Sequence, residues 1–311
     1  MSISEFPATA SRLTIKVIVD NVVDIFLPNL GPATYPHPGK SSELLAEQGF
    51  AIWLEIEDQS GSKKKILYDF GRSGPVLENN LDIMGLDRNQ IDCLVLSHGH
   101  LDHYGGMWSF LEKHSASAPL FVHPTTFGTR GITRPDGTLM LWTLERTKLE
   151  KKLTGNLIVS KEPVQIGPGL WKTGTIPRRS ELDLPFKIAV RVEGQTMKPD
   201  LLEDDAALVA KVDGLGLIVM TGCCHAGVFN TLDAAKDLFR DEPLYALIGG
   251  LHLNNLSKGH LDKVTAELHK RNPQWLLPMH CTGSNVLHHF YHAFGERFIT
   301  GTVGLSITFG R

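Results

Sequence analysis

The sequence predicts an α/β protein: two mixed β-sheets packed face to face, with helices on the outer faces. Three observations carry that prediction. Blocks of strand-like sequence occur in both halves of the chain, and each is followed by helical spacing. The apolar run 91–96 has the character of a buried strand and ends in a dense set of polar residues. Three later apolar runs, at 217–220, 246–248 and 275–277, are each followed within a few residues by cysteine or histidine. Open α/β architectures build their sites at such strand ends.

Taken in order, residues 12–20 are rich in Ile and Val and read as a strand. Residues 49–57 and 65–70 read as the next two strands, joined by a polar turn in which Lys63, Lys64 and Lys65 are solvated. Residues 74–86 have helical spacing through Val76, Leu77, Leu81 and Met84. A helix over 106–114 and a strand over 119–123 follow the strand at 91–96. Residues 125–204 are punctuated by Gly and Pro and read as an irregular, pocket-covering insertion into a single domain spanning 1–311. Short strands at 157–160 and 170–173 interrupt it. From residue 206 order returns. The expected elements are a hairpin around Gly214, a helix over 228–240, a strand over 244–248 and a helix over 259–271. The strand Trp275–Met279, the helix Ser284–Phe294 and a strand pair over 298–309 complete the chain.

With 311 residues, 42% of them hydrophobic, the chain can bury a substantial core. A net charge of −3 argues against general nucleic-acid binding and leaves a small, anionic molecule as the expected partner. No apolar stretch approaches the roughly 20 residues that span a membrane, so no membrane partner is expected. Cys93, Cys223, Cys224 and Cys281 lack the spacing of a disulfide framework. Together with the absence of a signal-peptide pattern, this predicts a reduced, cytoplasmic setting. Nothing in the sequence sets the oligomeric state.

Residues 97–106 read Ser-His-Gly-His-Leu-Asp-His-Tyr-Gly-Gly. His98, His100, Asp102 and His103 are thereby presented together at the end of a buried strand. Imidazole and carboxylate suit zinc, iron or manganese. The pattern H-x-H-x-D-H resembles the signature of the metallo-β-lactamase superfamily. The resemblance implies an αββα sandwich, with His98 and His100 on one metal and Asp102 and His103 on a second. It also implies that His280, in Pro-Met-His-Cys-Thr-Gly after the last core strand, serves metal two. Asp69, in Asp69-Phe70-Gly71, would support the ligands from behind, although by itself it reads equally as a strand-terminal turn residue. Most members carry a bridging Asp after a Thr-Gly pair. Here Thr221-Gly222 is followed by Cys223, which either binds one metal, bridges two, or lines the site. His225, two residues on, is the candidate third histidine of metal one. The later motifs are similar to those of the subfamily of metal-dependent hydrolases called β-lactamase superfamily II. That subfamily includes an archaeal methanopterin-pathway synthase.

The expected function is a metal-dependent hydrolase that uses metal-bound hydroxide on an ester, lactone or phosphate-containing small molecule. It would hold one or two divalent ions, zinc first, with manganese or iron as alternatives. Asp102 would also take a proton, and His252 would act as a non-ligand acid or hold an anionic oxygen. Arg178, Arg179 and the turn Thr282, Gly283, Ser284 would hold anionic groups, unless the two arginines are simply exposed. The alternative is a transferase that joins a dihydropterin pyrophosphate to a ribofuranosyl-aminobenzene phosphate with pyrophosphate release. A second alternative is a non-catalytic, metal-stabilised metabolite-binding module. His123 reads as structural, and His288, His289 and His292 as a solvated helix face.

Overall fold

A computed structural model describes residues 8–114, 117–240 and 242–311. Two large sheets lie face to face. The first runs in the spatial order Ala33–Thr34, Ser306–Gly310, Arg12–Val19, Ala51–Glu57, Lys63–Tyr68, Cys93–Val95, Leu120–Val122, Leu157–Val159. The second runs Val164–Gly167, Leu170–Lys172, Leu208–Val212, Gly216–Thr221, Leu244–Gly250, Trp275–Met279. Side chains alternate between faces along a strand. Leu13, Ile15 and Val17 therefore enter the layer between the sheets, where they join Ile52, Leu54, Leu208, Ile218, Met220 and Leu277.

The outer faces are covered by helices, giving the αββα order that the sequence predicts. Leu77 and Leu81 of Gly74–Ile83, and Met107 and Phe110 of Met107–Lys113, pack on the first sheet. Val228–Leu238, Lys258–Arg271 and Ser284–Phe294 cover the second. Lys258–Arg271 illustrates the local logic. Leu261, Val264 and Leu268 recur on one face and are buried. The Ser257 side chain accepts from the His260 N–H at the start. Asn272, in the left-handed region at φ 51°, ends the helix. Burying each such Leu stabilises by about 1.5–3 kcal/mol. Among the described residues no helix is long and apolar enough to cross a membrane.

Both sheets are antiparallel on one side and parallel on the other. In the first, Lys63–Tyr68, Cys93–Val95, Leu120–Val122 and Leu157–Val159 are parallel neighbours. In the second, Gly216–Thr221, Leu244–Gly250 and Trp275–Met279 are. Parallel strands end at the same edge of a sheet. The residues just past these ends include Asp69, His98, His123, Cys223, His252 and His280. Strand direction alone thus gathers the polar residues that the sequence scatters over more than two hundred positions.

Three expectations need correction. Residues 125–204 are not irregular: they carry a third, antiparallel sheet in the order Thr196–Pro199, Ala189–Glu193, Gly128–Thr133, Leu139–Leu144, and the helix Arg146–Lys152. Lys63 to Lys65 begin a strand rather than form a turn, because they face Glu57, Ile56 and Glu55 across the sheet. Lys63 Nζ lies 2.9 Å from Glu55 and 3.5 Å from Glu57. The strand pair over 298–309 reduces to the single strand Ser306–Gly310, with Phe298 making only a bridge to Leu276.

A buried ion pair fastens the third sheet. The Arg130 guanidinium donates to both carboxylate oxygens of Asp204, at 2.6 and 2.8 Å, and its Nε lies 3.0 Å from Asp200. Burial would raise the Asp204 carboxyl, but Arg130 beside it holds it below the usual range. Removing one partner of such a pair strands a buried charge. Asp204→Ala is therefore expected to cost about 3–5 kcal/mol, measured by urea unfolding of the metal-free protein. A loss below about 1 kcal/mol would show that the pair does not fasten the sheet.

Candidate metal centre

The strand ends are conformationally strained. Asp69, Cys224, His252 and His280 occupy the left-handed region, at φ 62°, 64°, 49° and 52°. Each such non-glycine residue costs of the order of 1–3 kcal/mol and persists only where its surroundings impose it. Those surroundings are specific. The Asp69 carboxylate accepts from the Ser97 N–H, the Ser97 hydroxyl and His103 Nδ1, each at 2.7 Å. Gly222 lies against this network, where an added Cβ would stand 2.4 Å from Ser97 Oγ and 3.0 Å from Asp69. Only glycine fits there. Asp69 thus supports His103 from behind.

Two donor groups result. In the first, the donor atoms of His98, His100 and His225 lie within 4.8 Å of one another, and all three residues are buried. Ser97 Oγ sits 2.8 Å from His98 Nδ1, and the Trp142 ring stands edge-on to His100 at 5.2 Å. In the second, Asp102, His103 and His280 meet at the same spacing. Asp102 lies 3.5 Å from His280 Nε2 and 4.0 Å from His103 Nε2. Cys223 stands between the groups. Its sulfur is 3.1 Å from His103 Nε2, and it clusters also with His98, with His225 and His252, and with His280 and Cys281.

The electrostatics suit a cation. Burial, then the neighbouring imidazoles, push His98 and His225 well below the ordinary histidine value. Burial takes His100 down to about 3. These rings are neutral at pH 7, the state in which imidazole binds metal. His98 Nε2, His100 Nε2, both His225 ring nitrogens and His280 Nε2 are buried without a hydrogen-bond partner. Unpaired buried polar atoms are costly, and a bound cation would satisfy this convergent set. Burial would lower His280, but the Asp102 carboxylate, 3.5 Å from its Nε2, overrides this and raises it to about 9. Burial pushes the Cys223 thiol well up, so a cation is needed to draw out its thiolate. The donor set therefore fits divalent metal.

Several supporting residues were not singled out in the sequence. Asn21 Oδ1 lies 3.2 Å from His280 Nδ1, its Nδ2 donates to the His280 carbonyl at 3.0 Å, and Asp20 accepts the His280 N–H at 3.0 Å. Gly99, between His98 and His100, donates its N–H to Asp204 at 2.8 Å and accepts from Trp142 Nε1 at 2.8 Å. The polar pair Asp20-Asn21 at the end of an apolar run was a usable signal. Asp204 and Trp142 carried none, because both belong to the insertion.

A cavity of about 400 Å³ opens over the two groups, bounded by Asn21, Arg72, Trp142, Phe186 and Asn254. His252 lines it, with its ring 4.4 Å from those of His225 and Phe186 and its Nδ1 unpartnered. Gly283 also lines it, but Ser284 does not. The Thr282 hydroxyl is engaged, donating to the Met279 carbonyl and accepting from the Leu251 N–H. The two arginines are both exposed, as the alternative reading had it. Arg178 donates to the carbonyls of His225 and Leu201, and exposed Arg179 pairs with Asp237. Neither lines the cavity. His123 is structural, held between the hydroxyls of Thr125 and Thr175.

The model of the metallo-β-lactamase superfamily matches residues 46–181. The chain is 28% identical, over 84% of its length and 90% of the relative, to 7,8-dihydropterin-6-methyl-4-(β-D-ribofuranosyl)-aminobenzene-5′-phosphate synthase of Methanocaldococcus jannaschii. It is also 28% identical to an uncharacterized protein of the same organism, over 84% of this chain and 93% of that one. Among solved structures, it is similar to one described as a metal-dependent hydrolase of the β-lactamase superfamily. The TM-score is 0.75 at 21% identity, covering 96% of this chain and all of the other.

Two outcomes follow for metal binding. Without metal, His280 holds a proton up to about pH 9, and a metal ligand must lose it. Affinity at the Asp102, His103 and His280 group is therefore expected to rise about tenfold per pH unit below that value and then level off. Competition with a chelating dye across pH measures this, and a flat profile would contradict it. Asn21→Ala is expected to weaken the same affinity about 10–100-fold by freeing the His280 ring.

Proposed function

We propose, from the match of residues 46–181 to the metallo-β-lactamase superfamily and the similarity to the methanogen synthase, that the chain is a metal-dependent transferase of that superfamily. The reaction proposed joins a dihydropterin pyrophosphate to a ribofuranosyl-aminobenzene phosphate and releases pyrophosphate. The observation that carries the metal chemistry is the pair of donor groups, His98, His100, His225 and Asp102, His103, His280, side by side around Cys223 in one cavity. Similarity to the methanogen synthase over most of both chains supports the choice of reaction. Divalent cations held there would polarise phosphoryl oxygens and offset the charge of a departing pyrophosphate.

The chain's own residues supply the rest. The imidazoles of the first group are kept neutral by burial and offer their lone pairs inward. Asp69, Ser97 and Asn21 fix the rings so that little reorganisation is needed on binding. Arg72 at the cavity mouth can meet an anionic group. His252 lines the cavity with its Nδ1 unpartnered, and it would take the proton released as an amine attacks. Hydrolysis of an ester, lactone or phosphate is the second reading. It is favoured by the 22% exposure of the Asp102 side chain, which lets water reach the donor groups.

Pyrophosphate release is expected only when the arylamine phosphate accompanies the pterin pyrophosphate. Equal release into water would replace the transferase reading with the hydrolytic one. His100→Asn is expected to lower turnover by about 10²–10³-fold. His252→Ala should lower kcat by at least about 10²-fold with metal content unchanged, measured by elemental analysis alongside steady-state kinetics. Loss of metal in His252→Ala would make it a ligand instead.

A further inference from the structure

We propose that a second compartment, beyond Phe186, is a substrate subsite for an apolar, ring-bearing group. The proposal rests on the reading that the adjoining centre is catalytic. The compartment measures about 400 Å³ and is walled by Leu184, Ile188, Val228, Leu251, Leu253 and Leu256. It meets the metal-centre cavity at Phe186, His225, His252 and Asn254, which line both. The Phe186 ring lies 4.4 Å from His252 and 5.0 Å from His225. The two cavities therefore adjoin, and a molecule whose reacting bond sits at the donor groups would place its far end, past Phe186, in the apolar chamber.

The chamber's chemistry is selective. Leu184 is 56% exposed and Ile188 43%, branched side chains that border open volume instead of packing into the core. Lys187, Asn254 and Asn255 also line it, while two other polar groups at its rim are engaged. The Asp183 carboxylate accepts from the Phe229 and Asn230 N–H groups, and the Leu182 carbonyl accepts from His260 Nε2. The Asn230 side chain also accepts from the Arg179 and Ser180 N–H groups. The segment that carries Leu184, Phe186 and Ile188 is thus fixed at its start to two helices, which makes the chamber preformed. A preformed apolar cavity beside a few convergent polar groups is the usual form of a small-molecule site. Phe186 offers a ring face or edge to an aromatic guest.

The test uses the full chain, with and without metal, and a naphthalene sulfonate dye whose emission rises in apolar surroundings. The double variant Leu184→Asp, Ile188→Asp changes exposed residues and should fold. It is expected to raise the dye's Kd at least tenfold, with metal content and circular dichroism unchanged. The control Leu139→Asp, Leu141→Asp, also at exposed positions but on the third sheet, should leave it unchanged. An unaltered Kd in the first variant, or an equal loss in the control, would overturn the subsite. Among substrates for the metal-loaded protein, kcat/KM should rise about fourfold per methylene added to the apolar group, and the rise should vanish in the first variant. Dye binding here with no turnover on any substrate would remove the catalytic reading and keep a ligand site. Turnover without dye binding here would do the reverse.

Discussion

Two adjacent buried carboxylates, Asp204 and Asp205, join the three sheets. Asp204 takes the N–H of Gly99, in the loop leaving the first sheet, and both guanidinium nitrogens of Arg130, from the third. Its chain neighbour Asp205 accepts the Ala226 N–H in the loop after Gly216–Thr221 of the second sheet. The backbone between His98 and His100 is therefore held by a charge that is itself held by another charge, all out of water. In low dielectric each pairing in such a network gains strength, and only Asp205 Oδ1 among the carboxylate oxygens of Asp204 and Asp205 lacks a hydrogen bond. This explains why a sheet with little apolar core of its own is ordered: it is riveted to the ligand loop. Trp142 repeats the arrangement from the other side, donating to the Gly99 carbonyl while its ring stands against His100.

The centre treats its imidazoles in two ways. Burial keeps His98, His100 and His225 neutral, whereas Asp102 keeps His280 charged in the absence of metal. The first group is ready to receive a cation, while the second must first release a proton. Cys223 lies between and is itself neutral until a cation arrives. A carboxylate at that position would already be anionic and would compete with Asp102 for the neighbouring imidazoles. The thiol leaves the two groups electrostatically distinct, so their affinities need not be equal. Left-handed backbone at Asp69, Cys224, His252 and His280 adds strain to this arrangement, a combination that commonly marks sites where stability is traded for preorganisation.

Legibility in the sequence tracked the range of the interactions. His98, His100, Asp102 and His103 sit within one short segment, so local spacing revealed them. Cys223, His225, His252 and His280 were legible because each follows an apolar run, and parallel strands bring such ends to one edge. Their partners were not. Asn21 reaches His280 across 259 positions and Asp204 reaches Gly99 across 105, and no local pattern encodes such pairings. The third sheet escaped for a different reason. Gly128–Thr133 and Thr196–Pro199 carry few apolar residues, because ion pairs and backbone carbonyls, rather than a hydrophobic layer, hold that sheet in place. The arginines failed in the opposite sense. Arg178 and Arg179 looked available for a ligand, yet a guanidinium satisfied by carbonyls or by Asp237 cannot be told from a free one by composition.

Chemistry and recognition are drawn from different parts of the chain. The donors stand on segments that leave strand ends of the two large sheets, Asp102 and His103 on the short helix Leu101–Tyr104, so a shift of a strand by one residue would disturb both the ligand geometry and the core register. Part of each cavity wall comes from the insertion instead: Ile132, Met140, Trp142 and Phe186 over the centre, and Leu182 to Ile188 beyond it. These segments are tethered at a few points, the Arg130–Asp204 pair and the contacts of Asp183 and Asn230 among them. Between those points their side chains are free to differ without disturbing the metal ligands. An architecture of this kind can change what it binds while conserving what it does to it. Loops on a rigid scaffold generally carry specificity. Here the scaffold is the pair of parallel half-sheets, and the variable part begins at the ring of Phe186.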